Sequence, residues 1–300
     1  MALLLVLCAG PDAAHDSPGD VIHALSHRIE IEGPTARLLA ARAVEYQSLG
    51  DWSAAIEDFD RAVALQPRFG AALLGRAAVH LHQQFWAAAE AAARGAIDLY
   101  TEPGQRAPGE ALLAQVLAAQ YRWEEALTAW RGALQSPSPE VDWFLGEATC
   151  LGRLGRFSDQ VLALAAAKSR NPSVVLHRAW VRALVDGGQL DAAETEIEKG
   201  LGLARWQSTW LLLRARVHGR RGDLARQQAD AALALAELES RMNPERPDAW
   251  LTTECGLALA LSGDVEGARI CEKQARDLGV PGADLLEIHQ LIGATAPTSP

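Results

Sequence analysis

The sequence predicts an all-α solenoid of repeated helical hairpins. Two observations carry this: a set of small and aromatic residues recurs about every 34 positions, and the apolar residues follow helical spacing within each period. Composition agrees. Hydrophobic residues make up 49% of the 300-residue chain but aromatics only 6%. Core volume must therefore come from Ala and Leu, which suits closely packed helices better than a β-sandwich.

The repeat is read residue by residue. Trp52, Ala55 and Ala62 recur as Trp86, Ala89 and Ala96, then as Trp123, Ala126 and Ala133. Phe157, Gln160 and Ala167 follow, then Leu190, Ala193 and Gly200, then Leu224, Gln227 and Ala234. Val265, Ala268 and Ala275 close the series. A second slot drifts in step through Ala43, Ala77, Ala114, Ala148, Val181, Ala215 and Gly256. Two slots moving together define seven units.

Within a unit the pattern is helix, turn, helix. Leu39, Ala43 and Tyr46 share one helical face. Gly50-Asp51 breaks that helix, Ala55, Phe59 and Ala62 mark a second face, and Pro67 ends the unit. Equivalent breaks stand at Gly155-Arg156, Gly188-Gln189, Gly222-Asp223 and Gly263-Asp264. The last and widest step places extra residues within 235–248, where Leu235, Leu238 and Met242 predict a lengthened second helix. The fifth unit, with Val181 and Gly200, fits the pattern least well.

Small residues in both helices, an aromatic after the turn and a closing proline resemble the tetratricopeptide repeat. The resemblance covers roughly residues 36–280 and implies a right-handed α-solenoid that binds a protein or peptide. Residues 20–34, with Ile22, Leu25 and Ile29 on one face, are expected to form an N-terminal capping helix, and 36–281 the seven repeats. Residues 282–293 are expected to form a C-terminal cap, and the Pro/Thr/Ser tail 294–300 to be disordered.

The first fourteen residues contain a short apolar run, Ala2 to Ala9, followed by small residues at Ala13 and Ala14. The run suits a secretory signal and is too short to span a bilayer, although no basic residue precedes it. Export to a bacterial periplasm is the expectation, with a cytoplasmic location as the alternative. The formal charge of -10 argues against phosphate backbones as ligands, so no nucleic acid partner is expected. No segment is long enough to cross a membrane.

In proteins of this resemblance, the first helix of each unit lines a concave groove. Projected onto this chain, the early units present Val44, Leu74, Ala78, Leu81, Gln115 and Ala118, with His82 at the margin. The fifth and sixth present Arg178, Arg182, Arg216 and Arg220, with Arg153 nearby. Arg178 and Arg182 are i, i+4, as are Arg216 and Arg220. Guanidinium forks match carboxylates bidentately. The candidate site is therefore a groove taking an acidic segment or C-terminal carboxylate at its Arg end and apolar side chains at Leu74 and Leu81. The competing reading pairs these Arg residues with local acids such as Asp186. The Asn/Lys carboxylate clamp of heat-shock-chaperone repeats does not fit, because Asn171 and Asn243 lie off this face and it carries no Lys.

Other constellations are sparse. His23 and His27 stand at i, i+4 without a completing ligand, so no metal is expected. Cys255 and Cys271 lie on opposite helices of the last hairpin, where a disulfide is an alternative to free thiols. No phosphate loop, nucleophile elbow or paired-Cys motif occurs, so neither enzymatic activity nor a cofactor is expected. The function read from the sequence is a scaffold or adaptor, with a chaperone or assembly factor holding client proteins as the alternative.

Overall fold

A computed structural model describes residues 17–243, 245–280, 282 and 285–295. The apolar run near the start, its candidate cleavage site and the tail from 296 lie outside the described residues. Sixteen helices and no strand occur among those described. They are α1 (Pro18–Glu32), α2 (Ala36–Ser48), α3 (Trp52–Leu65), α4 (Gly70–His82), α5 (Trp86–Ile97), α6 (Pro103–Ala119), α7 (Trp123–Ala133) and α8 (Val141–Arg153). Then come α9 (Phe157–Arg170), α10 (Val174–Asp186), α11 (Leu190–Leu203), α12 (Ser208–Arg220), α13 (Leu224–Arg241), α14 (Ala249–Ser262), α15 (Val265–Asp277) and α16 (Leu286–Thr295).

Helices α2 to α15 pair consecutively into seven hairpins. Each second helix starts on the residue that the repeat marks: Trp52, Trp86, Trp123, Phe157, Leu190, Leu224 and Val265. The turn explains why. Gly50, Gly155, Gly188, Gly222 and Gly263 hold positive φ between 71° and 92°, a backbone state that Gly adopts without steric cost. Where Asp follows the Gly, its carboxylate caps the next helix: Asp51 accepts from Ala54 N, Asp223 from Arg226 N and Asp264 from Gly267 N. The second and third hairpins turn instead on Gln84 and Tyr121, at φ 63° and 60°.

The chain forms two compact units, residues 1–172 and 173–300. The first holds α1 and four hairpins. Ser17 and Asp20 close a capping box at the start of α1, whose Leu25 is buried. Leu39, Ala43, Ala55, Phe59 and Ala62 build the core of its first hairpin, all fully buried. The small residues let α2 and α3 approach closely enough for the Phe59 ring to fill the remaining space.

The second unit holds three hairpins and α16. Leu212, Ala215, Ala231, Ala234, Leu238 and Ala258 form its main core. Helix α13 is 18 residues long, so part of the extra sequence before α14 extends that helix as predicted. The fifth hairpin keeps the common register: Val181 and Ala193 are fully buried, and the space a side chain at Gly200 would occupy is filled by the Trp210 ring. Leu285, Ile288 and Ile292 bury α16 against Ala260, Ala268 and Ala275 of the last hairpin.

Departures from the small-residue pattern are compensated locally. Gln160 stands where Ala is usual, and Gly152 faces it; Gln227 repeats the exchange against Gly219. The freed space lets Gln160 Nε2 donate to Ala148 O at 3.0 Å and Gln227 Nε2 to Leu261 O at 2.8 Å. Each half-buried amide nitrogen thus finds a partner, while Gln160 Oε1 stays buried without a hydrogen bond among the described residues.

Candidate interaction surface

Within each unit the first helices of successive hairpins touch one another, as α2 with α4 and α12 with α14 do, whereas no two second helices touch among the described residues. The first-helix side is therefore the tighter, inner side of each unit. In the first unit this side presents Val44, Leu74, Ala78, Leu81 and Ala118, all half-buried, with Gln115 exposed between them. His82 stacks on Trp52 with ring centroids 3.8 Å apart. Arg153 also belongs to this unit, where its guanidinium lies 5.9 Å from the centre of the Trp123 ring.

The inner side of the second unit carries charge. Arg178 and Arg182 come from α10, Arg216 and Arg220 from α12. Arg182 and Arg216 occupy the same slot of neighbouring hairpins, one residue after the small residue at Val181 or Ala215. Their forks turn onto two shared carboxylates. Arg216 Nη2 donates to Asp186 Oδ1 at 2.7 Å, and its Nε lies 2.7 Å from Glu287 Oε1. Arg182 Nη2 donates to Glu287 Oε2 at 2.7 Å, while its Nε stands 4.0 Å from Asp186 Oδ2. The four side chains close a ring of alternating charge.

Asp186 is the local acid that the sequence offers; Glu287 is not foreseen. It reaches the ring from α16, 105 residues along the chain from Arg182. The ring is unevenly exposed: the Arg216 side chain is 14% accessible and that of Arg182 56%. Arg178 Nη1 lies 3.5 Å from Thr209 Oγ1. Arg220 is exposed and forms no ion pair or hydrogen bond among the described residues.

A third acid lies close by. Burial pushes the Glu254 carboxyl on α14 above the ordinary glutamate range, against the opposing pull of Arg182, Arg178 and Arg216; Glu287 adds to the rise. The two bridging carboxylates and Glu254 thus share three guanidinium groups, Arg178, Arg182 and Arg216. What the arrangement can do is hold carboxylate oxygens between paired guanidinium forks.

Elsewhere the chemistry is structural. Arg42 grips the buried Asp58 with Nε and Nη2 at 2.7 and 2.8 Å, and Arg214 grips Asp230 with both distances 2.8 Å. These pairs occupy one slot in the first and sixth hairpins. Their sequence signal, Arg and Asp sixteen residues apart across a hairpin, is visible once the register is known. Cys150, Cys255 and Cys271 are free thiols. Burial pushes Cys150 up to about 11 and Cys255 to about 12, which keeps both protonated and unreactive at neutral pH. His23 and His27 are exposed on α1. No helix among the described residues is long and apolar enough to cross a membrane.

A family model for the tetratricopeptide repeat matches residues 40–107, which span α3, α4, α5 and parts of their neighbours. A tetratricopeptide repeat protein from Parabacteroides merdae is similar in fold at a TM-score of 0.53 and 15% identity, over 80% of this chain and 93% of that one. The chain has the tetratricopeptide-repeat fold. This repeat protein is also similar in fold to yeast Tom70, at a TM-score of 0.56 and 14% identity; the match covers 93% of this chain and 58% of that one. The C-terminal part of a repeat protein from Cytophaga hutchinsonii matches at 0.56 and 12%, covering 87% and 96%. At such identities the likeness is one of fold. No curated protein matches the chain. The repeat fold is that of a protein–protein interaction scaffold.

Proposed function

We propose that this repeat protein is a non-enzymatic scaffold or adaptor that holds a partner protein through an acidic segment, on the inner side of its second unit. The observation that supports this reading is the pair of equivalent guanidinium forks, Arg182 and Arg216, turned onto one carboxylate. Arg178 and Arg220 extend the cationic surface on either side. A partner's Asp or Glu side chain, or its C-terminal carboxylate, meets the same donors. In the first unit, Leu74 and Leu81 offer a mild apolar surface for partner side chains.

Export to a bacterial envelope belongs to the same proposal. Its support is the apolar run from Ala2 to Ala9 and the small residues that follow.

The test is affinity capture from the source organism with the native N-terminus, followed by mass spectrometry at low and high salt. One dominant partner that carries an acidic segment and is released by salt is the expected result. A broad set of clients indifferent to salt would overturn it in favour of a holding chaperone.

A further inference from the structure

We infer that Glu287 is an internal competitor for the carboxylate site, so that the second unit rests in a self-occupied state that an acidic partner must displace. The inference rests on the acidic-segment reading above and adds a regulatory step to it.

Three features carry the argument. First, the geometry is that of a bound ligand. One carboxylate receives Arg182 Nη2 at its Oε2 and Arg216 Nε at its Oε1, both at 2.7 Å. These donors belong to homologous slots of adjacent hairpins, while the acceptor comes from a helix 105 residues away in sequence. Second, α16 does not depend on this contact for its seat. Leu285, Ile288 and Ile292 anchor it in the apolar core of the last hairpin, so the Glu287 side chain can turn away while the helix stays docked. Third, the contact is open to exchange. The Arg182 side chain is more than half accessible, and Arg220, one turn along α12 from Arg216, is exposed with no partner among the described residues. An incoming acidic chain therefore finds an unpaired guanidinium first and an exchangeable one next.

Asp186 differs from Glu287 in this respect. It lies on α10 itself, one helical turn from Arg182, and holds Arg216 from within the repeat array. It orients the Arg216 fork and remains in place when Glu287 leaves. The exchange is carboxylate for carboxylate, so the guanidinium groups never stand desolvated and unpaired, the costly state.

When a competent state is only fractionally populated, apparent affinity falls by that fraction. Removing Glu287 should therefore tighten binding. The probe is a fluorescein-labelled hexaglutamate peptide with an amidated C-terminus, titrated by anisotropy at low salt against the full chain. Glu287→Gln should bind it roughly tenfold more tightly than the wild type. Glu287→Asp, which keeps the charge but shortens the reach, should fall between them and guards against a fold defect in the Gln variant. Adding Arg182→Gln and Arg216→Gln should abolish the gain. Equal binding by wild type and Glu287→Gln, lost with both Arg substitutions, would overturn the internal competitor while leaving the acidic-segment reading intact. Failure of every variant to bind would overturn both.

Discussion

At Gly75 a single hydrogen atom decides the packing of a hairpin. A Cβ there would stand 2.2 Å from Phe59 Cζ, on a ring that is fully buried and has nowhere to retreat. Alanine is the better helix former by about 1 kcal/mol. The overpacking penalty of about 1–3 kcal/mol should nevertheless win. Gly75→Ala should lower the urea midpoint, and adding Phe59→Leu should recover part of the loss. Glu254 gives a residue-scale effect of a different kind. Its pKa is raised in the fold, so the folded state binds the proton more tightly than the unfolded chain does. Stability should fall as pH rises from the ordinary glutamate value through the raised one, then level off. Glu254→Gln should be more stable than the wild type at neutral pH, and the difference should vanish below the ordinary glutamate range. Chemical denaturation across pH measures both arms.

At the scale of elements, the turns separate what was legible from what was not. A Gly at the hairpin turn marks five hairpins in the sequence, and all five hold positive φ. The other two place Gln84 and Tyr121 in the same conformation, which costs an L-residue about 1–2 kcal/mol. Gln84→Gly should therefore stabilise the chain by about 0.5–1 kcal/mol, after the entropy lost by Gly is set against the relieved strain. A thermal melt reads this directly. Tyr121 is a poorer target because its ring packs edge-on to Trp123. Helix starts were legible because the aromatic or apolar slot after each turn repeats so regularly. The fifth hairpin resisted reading for a physical reason: Gly200 is small because the Trp210 ring fills its place, and a ring contributed by the next hairpin leaves no mark in the repeat itself. The same holds for Gln160 and Gln227, whose facing glycines become meaningful only in three dimensions.

At the scale of the molecule, repetition fixes the fold and leaves the ligand to a few side chains. The Arg residues of α10 and α12 could be placed on one face from their spacing together with the groove that the resemblance implies, and Asp186 could be named beside them. Glu287 could not, because its contact with Arg182 spans 105 residues and follows no period. That contact changes how the surface must be tested. Glu at position 182 or 216 would set a new carboxylate against Asp186 and Glu287 and could unfold the unit by repulsion, whereas Gln removes charge and keeps size. The most direct test is the affinity of the captured partner for Arg182→Gln/Arg216→Gln, compared with wild type by calorimetry at low salt, with circular dichroism confirming the fold. A loss of tenfold or more with an unchanged helical spectrum is the predicted result. Full affinity in the double variant would contradict the central claim and return these guanidinium groups to a purely structural role.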